Sequence, residues 1–427
     1  MSSSRPPAPT SEGSEDPDPN EPGARLFTRP FVGLLAMQAA YGFSFSMFFL
    51  LPKYLASVGE PASRIGFVMA GFGVACILTI PFLRGIVETL GRRGTLMAAN
   101  LLLATAAALF GLFDRPGLFA IPLRASEGVT WTLMFSTAMT LTADFAPPDR
   151  LAQAIGLAGG ASLIMNALAP AIGEPLADHF GYRSVFFVAA LAALGAAALA
   201  RRLPVHGTTR PALRPVSVET RSPSQASPAA GEAAPRRARL AIYAVFGAAG
   251  LAFSSLFAFL APFALDHGVH AIRAFFIGYT SAAISVRVLG GRLSDRLGYR
   301  AVATTSLLLY GGVVASAGLL APYHLALLGV GFGVAHGAAY PALMALLVNG
   351  TPLSQRPRAL GIANGAMSLG ISAVAPAGVV ASRLGYPALF ALVGCLTSAA
   401  ALLLVPRERL APFAARGFRS LFGGLAR

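Results

Sequence analysis

Lysine occurs once in this chain of 427 residues, at Lys53, and tryptophan once, at Trp131. Charged residues make up only 12% of the sequence and hydrophobic ones 55%, whereas a soluble domain carries roughly 25% charged residues. A water-soluble globular fold is thereby excluded. The two cysteines, Cys76 and Cys395, lie in separate apolar runs. They offer neither a disulfide framework nor metal-ligand spacing, and both read as buried packing residues. No zinc spacing and no hydrolytic triad is present. Gly329, Gly331, Gly333 and Gly337 have no strand before them and no Lys-Ser/Thr after them, so they are packing glycines rather than a nucleotide loop. Neither an enzyme, a metal site nor a cofactor is expected. Residues 1–27 are rich in Ser, Pro, Glu and Asp and lack the early apolar core of a signal peptide. They read as a disordered cytoplasmic tail.

Long apolar runs are what the chain has in abundance. A membrane span needs about 20 apolar residues, and twelve segments qualify: 30–55, 63–83, 94–113, 118–145, 151–177, 184–200, 240–265, 271–290, 301–320, 323–349, 359–382 and 386–405. Residues 201–239, rich in Pro, Ser, Ala and Arg, read as a flexible linker between two halves, 28–200 and 240–406. A C-terminal tail, 407–427, follows. With a cytoplasmic N-terminus, 25 of the 33 basic residues fall on the inside and 6 outside, leaving Arg124 and Arg287 within apolar segments. The positive-inside rule therefore puts both termini in the cytoplasm. It also accounts for the formal charge of +15 without nucleic acid.

The halves repeat one another. GLAGGASLIMNALAPAIG from Gly156 answers to GIANGAMSLGISAVAPAG from Gly361, and each runs on to a Gly-Tyr turn, Gly181-Tyr182 and Gly385-Tyr386. An all-α membrane protein of two pseudo-symmetric six-helix bundles is predicted.

Between the eighth and ninth segments lies GRLSDRLGYR, Gly291 to Arg300. Two glycines let helix ends approach, and Asp295 among Arg292, Arg296 and Arg300 forms an ion cluster at the bilayer edge. The decapeptide resembles the loop signature of the major facilitator superfamily, G-x-L-x-D-R-x-G-R/K-R, with Tyr299 the one departure. Its first-half counterpart, Arg84 to Arg93, keeps Gly91, Arg92 and Arg93 but has Arg84, Glu88 and Thr89 in place of Gly, Asp and Arg. The resemblance implies a cytoplasmic gate built from Gly291, Asp295, Arg296, Gly298 and Arg300 together with Glu88, Gly91, Arg92 and Arg93. Glu88 is expected to meet Arg92 and Arg93, and Asp144 to add a further carboxylate.

The same resemblance implies a central cavity lined by the first, fourth, seventh and tenth segments. In the fourth, Arg124-x-x-Glu127-Gly128 is similar to the family's R-x-x-Q-G, with Glu for Gln. Spacings of three and four put Arg124, Glu127 and Trp131 on one helix face. His336-Gly337 and Tyr340 stand at the equivalent places of the tenth segment. Because ionisable groups inside spans are costly and commonly functional, Glu127 tuned by Arg124 is the expected proton-coupling group and His336 a second titrating or substrate-contacting one. Gln38 and Tyr41 in the first segment and Asn166 in the fifth are further cavity candidates, whereas Phe43, Phe45 and Phe48 read as packing. The fifth segment keeps Gly156, Pro170 and Gly173 of the family's antiporter signature but has Met165, Ala169 and Glu174 where glycines are expected. The implied protein is a proton-coupled secondary transporter of the bacterial inner membrane, monomeric among lipids, that exports drug-like or metabolite molecules. Import of a small anionic nutrient and a non-transporting sensor are the alternatives.

Overall fold

The structure is a computed structural model and describes residues 26–113, 117–147, 150–204, 236–289, 297–319 and 324–405. Among these residues the regular elements are all helical. The first half comprises α1 (Arg29–Met47), α2 (Leu51–Ser57), α3 (Ala62–Thr79), α4 (Leu83–Leu112), α5 (Ala120–Phe145), α6 (Leu151–Phe180) and α7 (Tyr182–Arg202). The second comprises α8 (Arg236–Asp266), α9 (Arg273–Leu289), α10 (Tyr299–Ser316), α11 (His324–Asn349), α12 (Arg356–Ser372), α13 (Val374–Leu384) and α14 (Tyr386–Leu402). Among the described residues, eight helical stretches are long and apolar enough to cross a membrane.

The differences from a plain twelve-rod reading have local causes. Pro52 has no N–H to give and crowds the preceding turn, so the first segment is divided into α1 and α2 by a 3₁₀ turn, Phe48–Leu50. Pro376 does the same in the eleventh, which breaks at Ala373 into α12 and α13. The stretch Ala62–Leu112 runs for 51 residues, more than twice what a hydrocarbon core of about 30 Å accommodates. Gly91, at φ 67° and ψ 166°, turns the chain within it, a conformation that a residue with a Cβ seldom adopts. The tail boundary also moves. Leu26 is buried with Phe31, Ala146 and Ala154, while residues 1–25, the middle of the linker and the C-terminal tail lie outside the described residues. Both edges of the linker are helical, to Arg202 and from Arg236.

The sequence repeat reappears in the packing. Helix α3 lies on α5 as α9 lies on α11, α4 on α7 as α10 on α14, and α1 on α6 as α8 on α12. The halves meet along two seams, α3 with α12 and α13, and α6 with α9. Glycine sets the closest approaches. A Cβ on Gly128 would strike the Phe72 carbonyl oxygen, and one on Gly333 the carbonyl oxygen of Tyr279. Helices in lipid associate through this kind of close packing, since hydrocarbon provides no drive to bury apolar side chains. Large apolar residues such as Leu191 and Leu327 accordingly remain exposed on the outside. Cys395 is exposed as well, which corrects the reading of both cysteines as buried; Cys76 is buried, its thiol donating to the Gly128 carbonyl oxygen at 3.4 Å.

Gly333→Val is expected to separate α9 from α11 and destabilise the protein by about 1–3 kcal/mol, the usual cost of overpacking. Gly156→Ala, with open space around the new Cβ, should leave the melting temperature of the detergent-solubilised protein unchanged. Equal melting of the two variants would contradict the packing argument.

Candidate functional site

Between the halves lies a cavity of about 480 Å³, walled by α1, α3, α5 and α6 on one side and α8, α9, α11 and α12 on the other. Its volume is that of a site for a drug-sized molecule. The wall is aromatic and soft. It includes Tyr41, Phe45, Phe49, Phe72, Trp131 and Phe135 from the first half, Phe253, Phe257, Tyr279 and Tyr340 from the second, and Met69, Met134, Met139 and Met367. Phe45 is expected to pack and does so, tilted against Trp131 with ring centroids 5.0 Å apart, and it also belongs to the wall. Phe48 packs against Phe110 and Phe186.

Of the expected cavity residues, Gln38, Tyr41, Arg124, Trp131, Asn166, His336 and Tyr340 line this space. Glu127 does not. It is wholly buried one layer behind the wall, with Oε2 accepting a hydrogen bond from the Arg124 guanidinium. Its Oε1 has no hydrogen-bond partner among the described residues, nor has the Nε of Arg124. The guanidinium also lies 5.1 Å from the centre of the Phe72 ring, a cation–π distance. Tyr41 shares a hydrogen bond with Thr130 at 3.4 Å, and Ser46 donates to Asn166 Oδ1 at 2.8 Å, tying α1 to α6. His336 is set among Phe253, Phe332 and Tyr310. Arg287, on α9, also stands in the wall.

One end of the cavity is shut by charge. Glu174 on α6 is 1% exposed and accepts hydrogen bonds from Lys53 Nζ at 2.7 Å, Ile272 N at 2.8 Å and Arg273 N at 2.9 Å. The two amides are the free N–H groups at the start of α9, so a carboxylate of the first half caps a helix of the second. Lys53 also donates to the His270 carbonyl oxygen, and the Arg273 guanidinium stands 3.7 Å from Glu174. Rings of Phe49 and Phe276 stack across the same seam, 5.4 Å apart. Towards the arginine-rich end, Gly156, Gly159 and Gly160 of α6, and Gly361 and Gly365 of α12, have open space where a Cβ would stand. Gly159 lines the cavity.

The sequence profile of the Major Facilitator Superfamily matches residues 32–286 and again residues 245–423. The chain belongs to the major facilitator superfamily. Among its relatives is the Multidrug resistance protein 2 of Bacillus subtilis (strain 168), 25% identical over 148 residues that cover 35% of this chain and 36% of that protein. Another is the Tetracenomycin C resistance and export protein of Streptomyces glaucescens, 24% identical over 176 residues covering 39% and 32%. The matched part is thus only about a third of each relative. A crystal structure of the peptide transporter POT in complex with sulfate superposes with a TM-score of 0.72 at 13% identity, over 93% of this chain and 97% of that one.

In this superfamily member the signature loop at the arginine-rich end is only partly described. Gly291, Asp295 and Arg296 lie outside the described residues; Gly298, at φ 82°, opens α10, and Arg300 is exposed. In the first-half loop Glu88 does not meet Arg92 or Arg93. It pairs instead with Arg84, one turn away on an exposed helix face, at 2.7 Å. Arg92 takes Asp144, joining α4 to α5 inside one half, and Arg93 donates to the Leu203 carbonyl oxygen at 2.5 Å. The fifth-segment signature likewise divides. Gly173 is tightly packed, a Cβ there meeting Leu50 at 2.7 Å, whereas Gly156 faces open space. Pro170 is buried within α6.

Sequence reasoning missed Lys53 and the other partners of Glu174. The available signal was a sole lysine in a chain that otherwise uses arginine, placed beside a helix-breaking proline.

Removing one partner of a buried pair costs about 3–5 kcal/mol, so Glu174→Ala, which strands Lys53 and uncaps α9, should release the closed end. In a Cys76→Ser, Cys395→Ser background, a cysteine at Phe49 is expected to react faster with a bulky maleimide once Glu174→Ala is added. Lys53→Ala should give a smaller increase, since two backbone donors remain on Glu174. Unchanged reactivity in both variants would rule out the cluster as the closure.

Proposed function

We propose that this protein is a secondary transporter that works by alternating access and exports aromatic small molecules in exchange for protons. The observation that carries the reading is the buried pair of Arg124, in the wall of an aromatic cavity, and Glu127 directly behind it. Carriage without nucleotide leaves ion gradients as the energy source, and an intramembrane carboxylate beside a cavity is a means of tapping one. Ionised, Glu127 neutralises Arg124. Protonated, it leaves Arg124 as a net positive charge in the wall. Loading a proton thereby changes the electrostatics that a cargo meets, without Glu127 touching the cargo. The multidrug-resistance and export names of the partial relatives support the outward direction.

On this reading the arginine-rich end is cytoplasmic, as the basic-residue distribution favours, and the open cavity takes cargo from inside the cell. The protein lies in the inner membrane as a monomer, with lipid, protons and its cargo as its partners. Export then requires the Glu174 cluster to part while the gate at the arginine-rich end closes.

The test is a pre-formed pH gradient in everted vesicles, challenged with a panel of planar aromatic compounds. Substrate-dependent dissipation is expected with the native protein. With Glu127→Gln it should fall to the level of vesicles lacking the protein, while quenching of Trp131 by the same compound persists. Dissipation at the native rate in Glu127→Gln would refute the coupling role.

A further inference from the structure

The cavity wall carries two arginines but, among the described residues, no aspartate or glutamate. The two are not alike. Arg124 is 5% exposed and its charge is met by Glu127. Arg287 is exposed in the wall, and among the described residues it has neither a hydrogen bond nor a carboxylate partner. The described carboxylates that form ion pairs are taken elsewhere: Glu60 by Arg64, Glu88 by Arg84, Asp144 by Arg92, and Glu174 by Lys53 and Arg273. A guanidinium presents five N–H donors in a planar fork suited to a carboxylate, sulfonate or phosphate, and among the described residues none of these donors is engaged.

The surroundings of Arg287 have a defined chemistry. Asn364, Tyr340 and His336 line the same space and add polar groups to it, while the remaining wall is largely aromatic and methionine. Solvent can stabilise the exposed charge while the cavity is open. Closing the cavity removes that water, and an unpaired cation in an apolar enclosure is costly. The missing counter-charge has to arrive with the cargo.

We propose that Arg287 is the anion-binding residue of the cavity and that the preferred cargo is an aromatic molecule bearing one acidic group. The acid seats on the Arg287 fork, and the rings lie among the aromatic side chains of both halves. This assignment deepens the transport reading given above and rests on it.

Trp131, the sole tryptophan and itself in the wall, reports occupancy by its fluorescence. Binding of 1-pyrenebutyrate is compared with that of the neutral 1-pyrenebutanol in the purified full chain. The native protein should bind the acid at least about tenfold more tightly, as charge-assisted hydrogen bonds imply. Arg287→Gln should erase the preference by weakening the acid alone, and Arg287→Lys should restore part of it. Unchanged affinity for the alcohol shows that each variant is folded. Equal binding of acid and alcohol by the native protein, or equal weakening of both in Arg287→Gln, overturns the proposal and leaves the cavity reading intact. Binding of neither probe to the native protein overturns the cavity reading and this assignment with it.

Discussion

A single carboxylate ties the two halves together at one end of the molecule. Glu174 gathers a lysine from the C-terminal part of the first segment and two amides from the start of α9, so the seam between the halves is a helix cap shared by two bodies. Such a cap differs from the apolar contact elsewhere along the seams. It is strong only while water is excluded and all donors are in place, and it loses most of its worth once the helices separate enough to hydrate. A closure of that kind is cooperative. The stacking of Phe49 on Phe276 and the seating of α2 on α8 accompany it at the same end.

The cavity inherits its character from the same economy of charge. The described arginine and carboxylate side chains in and behind the wall fall into one neutralised pair and one exposed cation, with aromatic and thioether groups around them. The pair offsets the charge of Arg124 in an apolar setting, and Glu127 Oε1 has no hydrogen-bond partner among the described residues. The equivalence of Glu127 and His336 in the repeat thus conceals different surroundings. The carboxyl is withdrawn behind the wall beside a cation, and the imidazole stands in the wall among rings.

Much of the architecture was legible because a bilayer imposes a length on each apolar run and the duplication gives every run a partner. The interruptions at Pro52 and Pro376 and the turn at Gly91 also follow from local backbone chemistry. What could not be read was direction around each helix. A run that is apolar on all faces does not distinguish core, lipid and cavity, which is why the place of Phe45 in the wall and the exposure of Cys395 went unread. Long-range charge pairing was illegible for a related reason. Glu88 has cations at several short separations, and the helix continuing through residues 83–90 selected Arg84. Glu174 found its partners 98 and 121 residues away, beyond any local pattern. Seven of the predicted wall residues nevertheless line one space, because heptad-like spacing on a single helix and the repeat offset between helices are both preserved by folding.

The rarity of lysine acquires a practical meaning once Lys53 is placed. Its ε-amine is the sole one in the chain and is 3% exposed, folded against Glu174 and the His270 carbonyl. Acylating reagents aimed at lysine side chains therefore have one address in the entire protein, and that address is concealed whenever the halves are shut at this end. The chain carries its own built-in chemical indicator of conformation, with the arginines elsewhere inert to the same chemistry.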